Sequence, residues 1–119
     1  MPKVLIVDDE EILLNNLKSY LERKGYIVEC ILNGEDGLEL IKEKDFDILL
    51  LDLHLKEGPS GLEVLKLALK IKPELKVVVF TGYGQDKDIE ETCFSLGAKG
   101  FLKKPLSLSQ LKEELERIK

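Results

Sequence analysis

The sequence predicts an α/β protein built on a doubly wound parallel sheet, and three observations carry that reading. Strand-like and helix-like segments alternate along all 119 residues, the pattern of repeated βα units. The runs at 48–51 and 77–80 are apolar without alternation, as expected of strands covered by helices on both faces. Two apolar runs also end in carboxylates: Val4 to Val7 leads into Asp8 and Asp9, and Ile48 to Leu51 leads into Asp52. Open α/β sheets place their ligand sites at that edge.

The first strand is expected over about 3–8. The helix after it, about 10–24, carries apolar residues at Leu13, Leu14, Leu17, Tyr20 and Leu21, with Gly25 as its stop signal. A strand at 26–31 and a helix at 35–43 follow, then the acidic-ended strand at 47–52. Between Leu55 and Gly61 the chain is irregular, and Lys56, Glu57, Gly58, Pro59 and Ser60 make a polar turn beside the acidic ends before a helix at 61–72. The fourth strand, 76–81, closes on Thr81 just before Gly82 and is followed by a helix at 86–95. The fifth strand, 99–103, leads to a last helix at 107–118, with Ser107 as its cap and Leu108, Leu111, Leu115 and Ile118 as its apolar stripe. Chain continuity and right-handed crossovers leave two main strand orders. A site built from the acidic ends requires the first and third strands to be neighbours, which favours the order 2-1-3-4-5.

Composition narrows the function. The chain is 44% hydrophobic and 34% charged with a formal charge of −5, the balance of one soluble domain spanning 1–119. With a pI near 5.0 it has no general attraction to nucleic acid or anionic membrane, so neither is expected as a direct partner. The amino terminus is neither a signal peptide nor a membrane span, and a cytoplasmic protein is expected. Cys30 and Cys93 have no CxxC spacing and no paired histidines beside them. They read as small core or near-core residues, without disulfide or catalytic duty.

The carboxylates carry the chemistry. A lone aspartate is most simply a cap or a turn residue: Asp9 could cap the first helix and Asp52 could open a turn. Capping needs one side-chain oxygen, however, and gives no reason to set Asp8 beside Asp9 and face both with Asp52. Three carboxylates that close must protonate in part or hold a cation. A hard divalent ion suits oxygen ligands, and Mg²⁺ is commonly held by carboxylates together with phosphate oxygens, which points to phosphoryl chemistry. Thr81 offers a hydroxyl at the same edge, either to a phosphoryl oxygen or to a local backbone group. Of Lys103 and Lys104, strand alternation lets only one point at the carboxylates, and the pattern does not say which.

The segments VLIVDDEE, ILLLDLHL, VVVFTGYG and GAKGFLKKPLS resemble the characteristic stretches of the receiver domain of two-component response regulators, and the resemblance covers essentially the whole chain. It implies a flavodoxin-like sheet in the order 2-1-3-4-5 with five flanking helices. It implies that Asp52 accepts a phosphoryl group from a histidine kinase's phosphohistidine, and that Asp8, Asp9, Asp52 and the backbone carbonyl of His54 arrange Mg²⁺. Lys104, directly before proline, matches the family's lysine that contacts the acidic cluster and the phosphoryl group, and the Lys104–Pro105 bond is often cis in such domains. Thr81 and Phe101 match the switch pair, although Phe101 alone reads as an ordinary core aromatic. These roles make chemical sense, because a carboxylate can form a reactive acyl phosphate while a cation and an ammonium offset the charge in transit.

The implied partners are a histidine kinase or phosphotransfer protein upstream. A downstream effector would read the face of helix four, strand five and helix five, where Asp88, Glu91, Ser95, Lys99 and Lys103 are the exposed candidates. The implied activity is a binding switch with at most slow self-dephosphorylation; His54 and Tyr83 border the approach to the phosphorus and are expected to slow water. One departure stands out. Most relatives carry a proline four residues after the acceptor and a glycine eight after it, whereas here Lys56 is followed by a shifted Pro59 and Gly61 comes one residue late.

Two other readings fit the fold less well. A nucleotide or flavin carrier would need a Gly-rich or Ser/Thr-rich phosphate loop after the first strand, where this chain has DDEE. A metal-dependent phosphohydrolase commonly has a second acid two residues after its nucleophile, where this chain has His54.

Overall fold

Five parallel strands and five helices alternate through the described residues, which in this computed structural model are 1–82 and 87–118, the Lys87 side chain excepted. The elements are β1 (Lys3–Val7), α1 (Glu11–Arg23), β2 (Ile27–Ile31), α2 (Gly34–Glu43), β3 (Ile48–Asp52), α3 (Gly61–Ile71), β4 (Lys76–Thr81), α4 (Lys87–Ser95), β5 (Gly100–Lys103) and α5 (Leu108–Ile118). The sheet order is β2-β1-β3-β4-β5, as the acidic strand ends required. Each expected element is present, with ends displaced by a residue or two.

Strand alternation divides the core in two. Leu5, Val7, Leu49, Leu51, Val77 and Val79 face α2, α3 and α4, where Ile41, Leu65 and Cys93 meet them. Val4, Ile6, Ile48, Leu50, Val78 and Phe80 face α1 and α5, against Leu17, Leu21, Leu111 and Leu115. Both faces of β1, β3 and β4 are therefore covered, which explains why their sequences are apolar without alternation. Cys30 is half-buried, and its thiol approaches the Leu14 carbonyl at 3.7 Å.

The helix ends have identifiable chemistry. Asn33 caps α2 by accepting from the Asp36 N–H at 2.8 Å, and Ser60 and Glu63 form a reciprocal capping box at α3. Helix α1 closes at Gly25, whose φ of +95° favours a residue without a Cβ. Ser107 accepts at α5 from the Gln110 N–H, at a long 3.4 Å. Leu108 departs from the expected stripe: at the first position of α5 it is exposed, whereas Leu111, Leu115 and Ile118 are buried.

The β3–α3 connection takes a definite path despite its extra residue. Leu55 and Pro59 turn inward toward Gly34, and Gly58 makes the turn with a φ of +74°. Gly61 starts α3 pressed against the preceding strand, since a Cβ there would lie 2.4 Å from the Leu53 Cα. Among the described residues no helix is long and apolar enough to cross a membrane.

Candidate functional site

Sheet register brings the acidic strand ends together. Val4 to Val7 of β1 pair with Ile48 to Leu51 of β3, so one further step sets Asp8 beside Asp52. Both are in phase with the residues facing α1 and α5, and both are almost fully buried, at 0% and 2% exposure. Asp9, half-buried, completes a group in which one carboxylate oxygen from each aspartate lies within 4.8 Å of the others.

Backbone groups aim all three carboxylates. Asp8 accepts from the Glu10 N–H at 2.8 Å, and Asp52 accepts through Oδ1 from the His54 N–H at 3.2 Å, which folds the turn after β3 back toward the acid. The capping alternative for Asp9 is not what the structure has. Glu10 occupies the cap position of α1 without a side-chain bond, and the Asp9 carboxylate instead accepts from the Lys56 N–H at 3.0 Å. The shifted loop thus supplies a donor to the cluster.

Lys104, not Lys103, reaches the acids. Its Nζ lies 3.0 Å from Asp8, 3.0 Å from Glu10 and 3.6 Å from Asp52, and 5.1 Å from the centroid of the Phe80 ring. The backbone positions it: Thr81 pairs with Lys103, and the Lys104 N–H donates to the Thr81 carbonyl at 2.9 Å. The Lys104–Pro105 peptide bond is cis. Lys103, one residue earlier in the alternation, is exposed.

Thr81 is buried at 1% exposure and lies in phase with Val77 and Val79. Phe101 pairs with Val79 and is half-buried against the same core half, so Thr81 and Phe101 share a face of the sheet. His54 is exposed. Tyr83, expected to border the site opposite His54, lies outside the described residues.

The electrostatics favour a cation. Burial is the largest influence on Asp8 and, with the nearby Asp52 charge, raises its pKa from an ordinary 3.8 to about 6, against the opposing pull of the Glu10 N–H and Lys104. For Lys104, burial acts to lower the pKa, but hydrogen bonds to Asp8 and Glu10 and the charges of Asp52 and Asp8 outweigh it and hold the ammonium above the usual lysine range. Asp8, Asp9, Asp52 and Glu10 set four carboxylates around this one ammonium, and the first three bring oxygens close enough together to suit a divalent ion. Glu10 is the residue that sequence reasoning missed. Its position in DDEE was visible, but its reach to Lys104 depends on the packing of β5 against β4.

Comparison with known proteins shows the family and the fold. The sequence model of the response regulator receiver domain matches residues 4–116. The chain is 33% identical to the transcriptional regulatory protein CrdR of Helicobacter pylori over 98% of its own length, and it spans 54% of that relative. A receiver domain protein (CheY-like) from Methanospirillum hungatei superimposes with a TM-score of 0.94 at 30% identity, covering 99% of this chain and 93% of the other. A response regulator from Burkholderia pseudomallei, whose crystal structure contains a phosphorylated aspartic acid, a calcium ion and citrate, gives a TM-score of 0.89 at 29% identity, over 97% of this chain and 66% of that one. The chain therefore belongs to the response regulator receiver domains, the phosphorylation-activated switches of two-component signalling.

Proposed function

We propose that Asp52 accepts a phosphoryl group from the phosphohistidine of a histidine kinase or phosphotransfer protein, with Mg²⁺ held by Asp8, Asp9, Asp52 and the backbone carbonyl of His54. The observation that carries this reading is the placement of a nearly buried Asp52 between two further aspartates and an ammonium 3.6 Å away. In the transfer, an Asp52 carboxylate oxygen attacks phosphorus, the P–N bond of the donor breaks, and the donor imidazole keeps that electron pair and takes up a proton. When bound, the cation offsets charge on the transferring phosphoryl oxygens.

The chain's own residues supply the rest. The His54 N–H holds Oδ1 of Asp52 while Oδ2 faces Lys104, so the ammonium stands ready for an oxygen of the incoming group. Thr81 donates its hydroxyl to another phosphoryl oxygen, and its movement lets Phe101 turn inward on the face they share. Phosphorylation thus biases a two-state element through a bond made in only one state. Burial of Asp8 and Asp52 limits water and keeps self-dephosphorylation slow.

The effector reads the face of α4, β5 and α5, where Asp88, Glu91, Ser95, Lys99 and Lys103 are exposed. A groove of about 570 Å³ there is lined by Glu90, Phe101, Lys103, Glu114 and Arg117 among others, a mixed-charge surface suited to transient docking.

Incubation with Mg²⁺ and a small-molecule phosphodonor, followed by intact-mass measurement, tests the acceptor. The wild-type protein should gain one phosphoryl group, and Asp52→Asn should gain none. Equal labelling of the two proteins, or labelling that persists after the metal is chelated, overturns the reading.

A further inference from the structure

The contacts of Lys104 divide unequally among three acids. An ammonium has three donors; Asp8 and Glu10 each lie 3.0 Å from it, while Asp52 stands at 3.6 Å, outside hydrogen-bond reach. Glu10 is not one of the three carboxylates that converge as a metal group, and its side chain makes no cap to α1. Its amide is already held by Asp8. The side chain bends instead to Lys104 from the rim of the site, where it is 59% exposed.

We propose that Glu10 is a positioning residue: it holds the Lys104 ammonium at the rim of the acidic cluster, against Asp8, and so keeps Asp52 open to the divalent cation. The inference rests on the metal-assisted reading above and adds a control on it. An ammonium and a metal ion compete for the same carboxylate oxygens, and the lysine stem is long and flexible enough to let its head settle wherever negative charge is densest. Without the outer anchor, the head moves inward from Asp8 onto Asp52 and neutralises a ligand. With the anchor, the ammonium stays poised between Glu10 and Asp8 over the Phe80 ring, near enough to meet a phosphoryl group and far enough to leave Asp52 free. The direct field of Glu10 on the metal is weak by comparison, because an exposed charge is screened by solvent.

A double-mutant cycle separates the two effects. The wild type, Glu10→Gln, Lys104→Met and the double variant are titrated with Mg²⁺, and the dissociation constant is read from the backbone amide NMR shifts of Asp8, Asp9 and Asp52. Glu10→Gln should weaken Mg²⁺ binding about 3- to 10-fold when Lys104 is present, and by less than about 2-fold in the Lys104→Met background. Glu10→Ala, which removes the acceptor as well as the charge, should weaken it at least as much as Glu10→Gln. Equal weakening in both backgrounds would assign the effect to charge alone and overturn the inference, as would unchanged or tighter binding in either Glu10 variant. If the wild type shows no saturable Mg²⁺ binding at all, the metal-assisted reading itself fails, a result distinct from the other two.

Discussion

At the amino end of the sheet Lys72 reaches Asp45 at 2.7 Å, a shorter contact than the 3.0 Å between Lys104 and Asp8 at the carboxyl end. The two pairs respond in opposite ways. Asp45 is open to solvent, and the Lys72 hydrogen bond holds its carboxyl below the usual range. Asp8 is buried, and despite its own lysine its pKa is driven up to about 6. The first pair sets one acid against one base at the surface, where such a pair contributes little. The other brings two buried acids, Asp8 and Asp52, toward one ammonium away from water, with Asp9 beside them. Proximity of opposite charges does not make a site; burial with unbalanced charge does, because that combination leaves work for an incoming cation and an incoming phosphoryl group.

The largest expected difference between the ends is in rate. Lys104→Met should lower labelling by a small-molecule phosphodonor roughly 100-fold, the usual scale for loss of a group that stabilises transferring charge, while Lys72→Met should leave it unchanged. Initial rates by intact mass are the measurement, and a comparable loss in both variants would erase the contrast.

Next comes pH, with opposite signs at the two ends. The folded pKa of Asp8 lies above that of an unfolded aspartate, so its contribution to stability is fully present below about pH 4 and lost as pH rises through about 6. In metal-free protein the stability of wild type relative to Asp8→Asn should therefore fall by roughly 3 kcal/mol at most between pH 4 and pH 7. The folded pKa of Asp45 is depressed, so its contribution is present above the unfolded value and lost as pH falls. Wild type relative to Asp45→Asn should slope the other way. Urea unfolding across pH measures both, and slopes of the same sign would refute the assignment. Saturating Mg²⁺ should reverse the Asp8 slope, since protons then compete with the metal.

The smallest effect concerns the reach of the signal. Thr81→Ala should still be labelled at Asp52, yet the amide shifts induced in β5 around Phe101 should shrink relative to wild type. Undiminished shifts in the variant would show that the carboxyl end communicates with the α4–β5–α5 face by another route.

Much of this arrangement was legible in the chain itself. The non-alternating runs at 48–51 and 77–80 expressed two-sided burial, and the aspartates ending β1 and β3 marked both the site and the strand order that it required. The capping box of α3 could also have been read, since Ser60 and Glu63 stand at the diagnostic spacing. Local periodicity records which face a residue takes because side-chain direction follows backbone geometry over a few residues.

Tertiary structure decided what depends on distances between remote segments. Alternation separated Lys103 from Lys104 but could not say which met the acids; the pairing of β5 with β4 did so, across a sequence separation of 96 from Asp8 to Lys104. The bond from the Lys56 N–H to Asp9, the path of the longer loop, the exposure of Leu108 and the hold of Glu10 on Lys104 likewise follow from packing. Burial completes the list. The sequence by itself determined that Asp8 is an acid at a strand end, but its raised pKa exists only because the folded chain removes water from around it.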